Sequence, residues 1–402
     1  MSELRFRGGL FCVSFDAFFD NSRSRKFRLP IAERVADTAV GTAEGGSTCL
    51  VTRDSVRIWH DAPRTGCIRA TIQTETENRT PVMNISRLRF AHLPTPVEAL
   101  SRLSEILGGP HLLIKRDDQT GLAFGGNKTR KLEFLVAEAR DQGAKTLISG
   151  GALQSNHCRQ IAAAAARFGF KCILVLTGDV PKQPSANLLL DKLFGAELVH
   201  VAERKDRDRI LQETFDRAAK DGMKPYLVPY GGSSPTGALG YAFAMKELME
   251  QNIQADWIVF ATSSGGTHAG LLLGQRVFGY KGKLLGISID EPEGWLKDQV
   301  SELASLTSEK LGERIEFTPA DVLADADYCS AGYGVLTDLE REAITLFAKQ
   351  EGVLLDPVYT GRAAGGMIDL IRKGFFKKDE TLLFLHTGGQ PALFADQYAN
   401  KI

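Results

Sequence analysis

Lys128 stands where a lysine can do covalent chemistry. It follows Gly125-Gly126-Asn127 and opens the run Lys128-Thr129-Arg130-Lys131-Leu132-Glu133, so a flexible glycine pair delivers an amine to the first turn of a helix. Such an amine forms Schiff bases when a pocket lowers its pKa; the alternative is an ordinary solvated helix start. Lys131 is the rival amine. Three residues at about 100° each turn it about 300° from Lys128, which predicts a different face.

Two more strand-to-helix turns carry anion-binding chemistry. In Gly150-Gly151-Ala152-Leu153-Gln154-Ser155-Asn156-His157, Ser155 or Asn156 caps an alanine-rich helix whose free N–H groups attract a carboxylate. His157 and Cys158 read as packed residues. In Ser263-Ser264-Gly265-Gly266-Thr267-His268-Ala269-Gly270, glycines let the backbone close on a phosphate while hydroxyls and N–H groups donate. This is neither GxGxxG nor GxxxxGK[ST], which disfavours a dinucleotide site or a P-loop. Near the carboxy terminus, Leu355-Asp356-Pro357-Val358-Tyr359-Thr360-Gly361 and His386-Thr387-Gly388-Gly389-Gln390 set an aromatic ring beside hydroxyls. That pairing suits a heteroaromatic cofactor, or a core with a turn. The seven histidines show no HExxH or comparable spacing, so metal ligation has little support.

The elements that must position these residues read as α/β from Lys128 onward. Strands are predicted at 146–149, 172–176, 198–201, 226–228, 257–261, 284–289 and 381–385, mostly apolar on both faces as in a parallel sheet. Between them, helices are predicted at 128–142, 156–168, 186–193, 206–220, 235–251, 268–278, 338–350 and 362–373, with Gly143 and Gly169 as left-handed caps. The 49 basic and 49 acidic residues cancel, so no global field favours nucleic acid or an acidic membrane surface. No stretch approaches about 18 consecutive apolar residues. A small-molecule partner and no membrane span follow. The six cysteines show no CxxC spacing, which favours a reducing, cytoplasmic setting.

Residues 1–82 lack sustained periodicity and are expected to be a poorly ordered or non-native extension, with patterned sequence starting at Met83. A transit peptide is the alternative: the cluster Arg23, Arg25, Lys26 and Arg28 supports it, and Glu3, Asp16 and Asp20 oppose it.

Taken together, GGNKTRKLEF, GGALQSNH, SSGGTHAG, GYG at Gly332 to Gly334, LDPVYTG and HTGG resemble, in order and spacing, the D-cysteine desulfhydrase and 1-aminocyclopropane-1-carboxylate (ACC) deaminase family. The resemblance spans residues 83–402. It implies the two-domain fold-type II, tryptophan synthase β-like architecture with parallel-rich twisted sheets, pyridoxal 5'-phosphate in the cleft and a homodimer. A larger domain of 83–131 and 241–402 and a smaller one of 132–240 are expected. The resemblance makes Lys128 the Schiff-base lysine and Ser264, Gly265, Gly266 and Thr267 the phosphate cup. Asn156 would face the cofactor's 3-hydroxyl, Ser155 would hold the substrate carboxylate, Tyr359 would stack on or beside the ring, and Tyr333 would line the substrate side.

Two positions separate the branches of that family. The deaminase carries glutamate where this chain has Thr360, and leucine where it has Thr387. A hydroxyl holds a protonated ring nitrogen less well than a carboxylate does, which suits β-elimination of a good leaving group and sits poorly with opening a cyclopropane. The resemblance thus implies a lyase acting on a small amino acid, D-cysteine first, giving pyruvate, hydrogen sulfide and ammonia. L-cysteate sulfo-lyase and ACC deaminase are the near alternatives; a β-replacing synthase and a noncatalytic binding protein are the distant ones.

Overall fold

The computed structural model describes residues 85–402, and within residues 2–71 the backbone of six short strands. The chain forms two compact units, Met1–Val82 and Met83–Ile402. In the first, β1 (Ser2–Arg5), β2 (Ser14–Phe15), β3 (Thr38–Ala43), β4 (Ser47–Thr52), β5 (Ser55–Trp59) and β6 (Ile68–Thr71) pair antiparallel in the order β2-β1-β3-β4-β5-β6. The sequence reading named none of these strands. The remainder of its expectation for residues 1–82 falls outside the described residues.

The second unit runs β7 (Val97–Ala99), α1 (Ser101–Leu107), β8 (His111–Lys115), α2 (Asn127–Asp141), β9 (Thr146–Ala152), α3 (Asn156–Phe168), β10 (Lys171–Thr177), α4 (Ala186–Leu193), β11 (Glu197–Val201), α5 (Arg207–Lys220) and β12 (Pro225–Leu227). It continues through α6 (Pro235–Glu250), β13 (Trp257–Thr262), α7 (Gly266–Phe278), β14 (Lys283–Ser288), α8 (Glu293–Leu311), β15 (Leu323–Asp325), α9 (Asp338–Glu351), α10 (Thr360–Arg372), β16 (Thr381–Leu385) and α11 (Asp396–Ala399). The strands form two sheets. One is all parallel in the order β11-β10-β9-β12; the other, β15-β14-β13-β16-β8-β7, is parallel except where β7 meets β8. This is the parallel-rich α/β arrangement expected from alternating strands and helices.

Burial follows the sequence pattern. Leu147, Leu174 and Leu176 of the smaller sheet pack on Leu135 of α2 and Ile161 of α3. In the larger sheet, Val259, Ile287 and Phe384 face α9 and α10, while Ile258, Phe260 and Leu383 face α6 and α7. Gly143 and Gly169 adopt positive φ of 71° and 76°, as the predicted helix ends require. The observed helices include α1, α8 and α11, and the strands β7, β8 and β15, beyond those predicted. Among the described residues, no helix is long and apolar enough to cross a membrane.

Candidate active site

Strands of both sheets end around one cavity, where parallel sheets place ligands. The turn after β9 supplies Ser155, Asn156 and His157; the turn after β13 supplies Ser263 to Thr267; the loop after β16 supplies Thr387 and Gly388. From α2 come Asn127, Lys128 and Lys131. The glycine pair is obligatory at that helix start. Gly125 has φ of 64°, and a Cβ there would lie 2.0 Å from the Asp118 carbonyl oxygen. One turn on, the buried Arg130 guanidinium spans Asp117 Oδ1 at 2.7 Å and Glu247 Oε1 at 2.8 Å, fixing the helix that presents Lys128.

Desolvation lowers the Lys128 amine to about 8. Lys131 is buried and lines the same cavity, its Nζ donating to the Gly231 carbonyl oxygen at 3.1 Å. This corrects the expectation of a different face, because about 300° in one sense is about 60° in the other, so residues i and i+3 are neighbours. Burial, then the charge of Lys128, holds the Lys131 amine well below its ordinary value. His157 is buried as expected, with Nε2 3.2 Å from Ser149 Oγ, and its ring also borders the cavity. Burial, followed by Lys128 and Lys131, holds its pKa well below the ordinary imidazole value. Cys158 is packed in the core as expected, its thiol pushed up to about 12 by burial.

Ser155 caps α3 by accepting from the Cys158 N–H at 3.2 Å. Helix α7 starts at Gly266, two residues before the predicted start, so Ser264 to Thr267 form its N-terminal turn. Ser233 Oγ sits 2.8 Å from Ser264 Oγ and accepts from the Gly266 N–H at 3.0 Å, while Asn127 Nδ2 donates to Thr267 Oγ1 at 3.1 Å. The Lys128 turn is thereby tied to this anion-attracting turn, and to the last loop through Asn127 N–H donating to the Thr387 carbonyl oxygen at 3.0 Å.

The carboxy-terminal residues divide. Tyr359 and Thr387 line the cavity. Tyr333 reaches it through Tyr359, with hydroxyls 2.9 Å apart and rings edge-on; burial raises both phenols. Thr360 is not brought to the wall. It is fully buried, accepting from the Asp356 N–H and donating to Asp356 Oδ1, each at 2.7 Å. The Asp356 carboxylate also takes the N–H groups of Val358, Tyr359 and Thr360, so it caps α10 and fixes Tyr359. Sequence reasoning missed this cap, although an aspartate four residues before a helix turn is a usable signal. It also missed Tyr230 and Asn127 as lining residues. Among the described residues, no cluster of His, Cys, Asp and Glu suits a metal.

The sequence profile of the pyridoxal-phosphate dependent enzymes matches residues 88–388. A solved ACC deaminase homologue is 36% identical over 79% of this chain and 95% of its own, with a TM-score of 0.73. The processed form of threonine deaminase isoform 2 from Solanum lycopersicum, at 18% identity over 73% of this chain and 79% of its own, shares the fold with a TM-score of 0.53. The donor set fits pyridoxal phosphate: an amine of lowered pKa for an aldehyde, and a helix N-terminus with hydroxyls and a second amine for a phosphate. The cradle is open only because residue 266 is glycine, since a Cβ there would meet Ser233 Oγ at 2.5 Å and Lys131 Nζ at 2.9 Å. Profile, fold and cradle agree, and the chain belongs to the pyridoxal-phosphate dependent enzymes, in the family of D-cysteine desulfhydrase and ACC deaminase.

Proposed function

We propose that this enzyme is a lyase that eliminates the β-substituent of a small amino acid, D-cysteine first, so that cysteine and water give pyruvate, hydrogen sulfide and ammonia. Pyridoxal phosphate, when bound, supplies the electron withdrawal that acidifies Cα. Lys128 holds the cofactor and then carries the Cα proton, a task for which an amine near neutral pKa is suited. Ser155 and the N-terminus of α3 take the substrate carboxylate, and the Ser264 to Thr267 turn with Lys131 takes the phosphate. Asn156 would hold the cofactor's 3-hydroxyl. Tyr359, backed by Tyr333, closes the opposite wall.

The observation that carries the choice of reaction is a cavity lined by two amines and, among the described residues, by no carboxylate. Position 387 offers a hydroxyl, the Thr360 proton is committed to Asp356, and the Asp356 carboxylate is committed to capping α10. A cofactor ring nitrogen bound beside Thr387 would lack an anionic partner, which would suffice for expelling thiolate and be poor for opening a cyclopropane. The similarity to an ACC deaminase homologue favours a second reading, deamination of ACC. The test is a pyruvate assay on D-cysteine, L-cysteine, L-cysteate and D-serine beside an ammonia assay on ACC. We expect D-cysteine to lead and ACC to give little ammonia; turnover of ACC rivalling D-cysteine would overturn the assignment. The same reading takes the enzyme as a cytoplasmic homodimer with domains of 83–131 plus 241–402 and 132–240, a division supported by the separate sheets.

A further inference from the structure

Asn156 presents an amide to the cavity, and an amide can offer either an acceptor or a donor depending on how it is turned. Arg159, one turn along α3 and fully buried, has only donors, and its Nη1 lies 2.9 Å from Asn156 Oδ1 and 2.7 Å from Asn187 Oδ1. Whatever a guanidinium touches must accept, so both amides are turned by this one group. Asn187 then directs its Nδ2 to Asn156 Oδ1 at 3.0 Å and to the Gln154 carbonyl oxygen at 2.9 Å. Asn156 lines the cavity, and its Oδ1 thus receives two donors, which leaves its Nδ2 to donate elsewhere; Nδ2 lies beside the last loop, where a Cβ at Gly389 would meet it at 2.9 Å. The same guanidinium reaches the other functional turn. Its Nη2 donates to the Gly125 carbonyl oxygen at 3.0 Å, beside Gln160 Nε2 at 2.6 Å, and so clamps the glycine pair that delivers Lys128.

We propose that Arg159 is a positioning residue that turns the Asn156 amide N–H toward the cofactor's 3-oxygen while holding the Lys128 turn, so that the oxygen is kept as an anion. This rests on Lys128 and Asn156 facing the cofactor as proposed above. Lysine cannot substitute, because one ammonium cannot span Asn156, Asn187 and Gly125 in a planar fork.

The experiment uses the holoenzyme variants Arg159→Gln, Arg159→Lys, Asn156→Ala and the double variant Arg159→Gln/Asn156→Ala, with Lys128→Ala as the control for cofactor attachment. The readouts are the ratio of the yellow band to the near-ultraviolet band and the rate of cofactor release on dilution. We expect both Arg159 variants to lose yellow band relative to the near-ultraviolet band and to release cofactor about tenfold faster, the size of one lost charged hydrogen bond. In the Asn156→Ala background the band-ratio change caused by Arg159→Gln should vanish. Wild-type band ratio and release rate in Arg159→Lys, which keeps charge and bulk, would overturn the proposal. So would an equal band-ratio change in both backgrounds, the mark of a merely structural role. If Lys128→Ala keeps the yellow band, the reading of the site itself fails, which is a separate outcome.

Discussion

Two lysines three residues apart face one cavity, and their tasks separate by what lies opposite each. Lys128→Ala should abolish the visible absorbance and turnover, because it removes the amine that desolvation brings to about 8. Lys131→Met should keep the absorbance and weaken cofactor retention, since Lys131 Nζ faces the turn at Gly266. Absorbance before and after gel filtration of each variant checks both, and full activity in Lys128→Ala would end the assignment. Lys128 was legible because glycines before a helix-start lysine leave a sequence trace; the shared face of Lys131 was equally legible, had the angle been taken the short way round. Thr360 and Asp356 were not, because a motif does not say which hydroxyl turns inward. Asp191 is a second case set by burial. Desolvation, partly opposed by Arg159, raises its carboxyl group from the ordinary range to about 8, with Cys158 and Cys172 its other titratable neighbours. The folded chain therefore binds a proton there that the unfolded chain releases, so stability falls as pH rises from about 4 to about 8. Asp191→Asn should remove that slope, on the order of 2 kcal/mol between pH about 6 and about 8. Thermal melts of both proteins at these pH values check it, and an unchanged slope would show that the carboxyl group is solvated.

At the scale of elements, the distance between the Lys128 helix and the anion-attracting turn is set by glycines in the helices between them. A Cβ at Gly240 of α6 would lie 2.6 Å from the Arg130 carbonyl oxygen of α2, and one at Gly270 of α7 would lie 2.2 Å from the Ala238 carbonyl oxygen of α6. The two contacts stack α2, α6 and α7 at backbone contact. Gly270→Ala must push α7 off α6, which should cost at least about 2 kcal/mol and loosen cofactor binding together with stability. Gly294→Ala, in the first turn of α8 with nothing within 4 Å of the added methyl, should leave both unchanged. Chemical denaturation and cofactor titration check the pair; equal effects would show that helix spacing does not govern the site. The helices flanking the site were readable because they follow apolar strands and start at capping residues. Helix α8 was readable too and was missed: Leu296, Val300, Leu303, Thr307 and Leu311 are buried at helical spacing after Pro292. Strand β8 is harder, since His111–Lys115 is a five-residue run that only its pairing with β7 and β16 distinguishes from a loop.

For the molecule as a whole, the family profile, the two parallel-rich sheets and the cavity all fall within residues 83–402. The hydrophobic clusters that hold this unit draw on residues from Ile85 to Tyr398. Sheet pairing within it also closes on itself, with β7 and β15 as the edges of the larger sheet and β11 and β12 as those of the smaller. A unit with its own hydrophobic core and sheets can fold by its own burial. Deleting residues 1–82 should therefore leave the melting temperature, the visible absorbance and the turnover of residues 83–402 nearly unchanged. Purification of the truncated chain, with melting and absorbance compared against the full chain, is the measurement. Insoluble protein, or a large fall in cofactor retention, would mean that the first unit contributes structure that composition alone does not reveal.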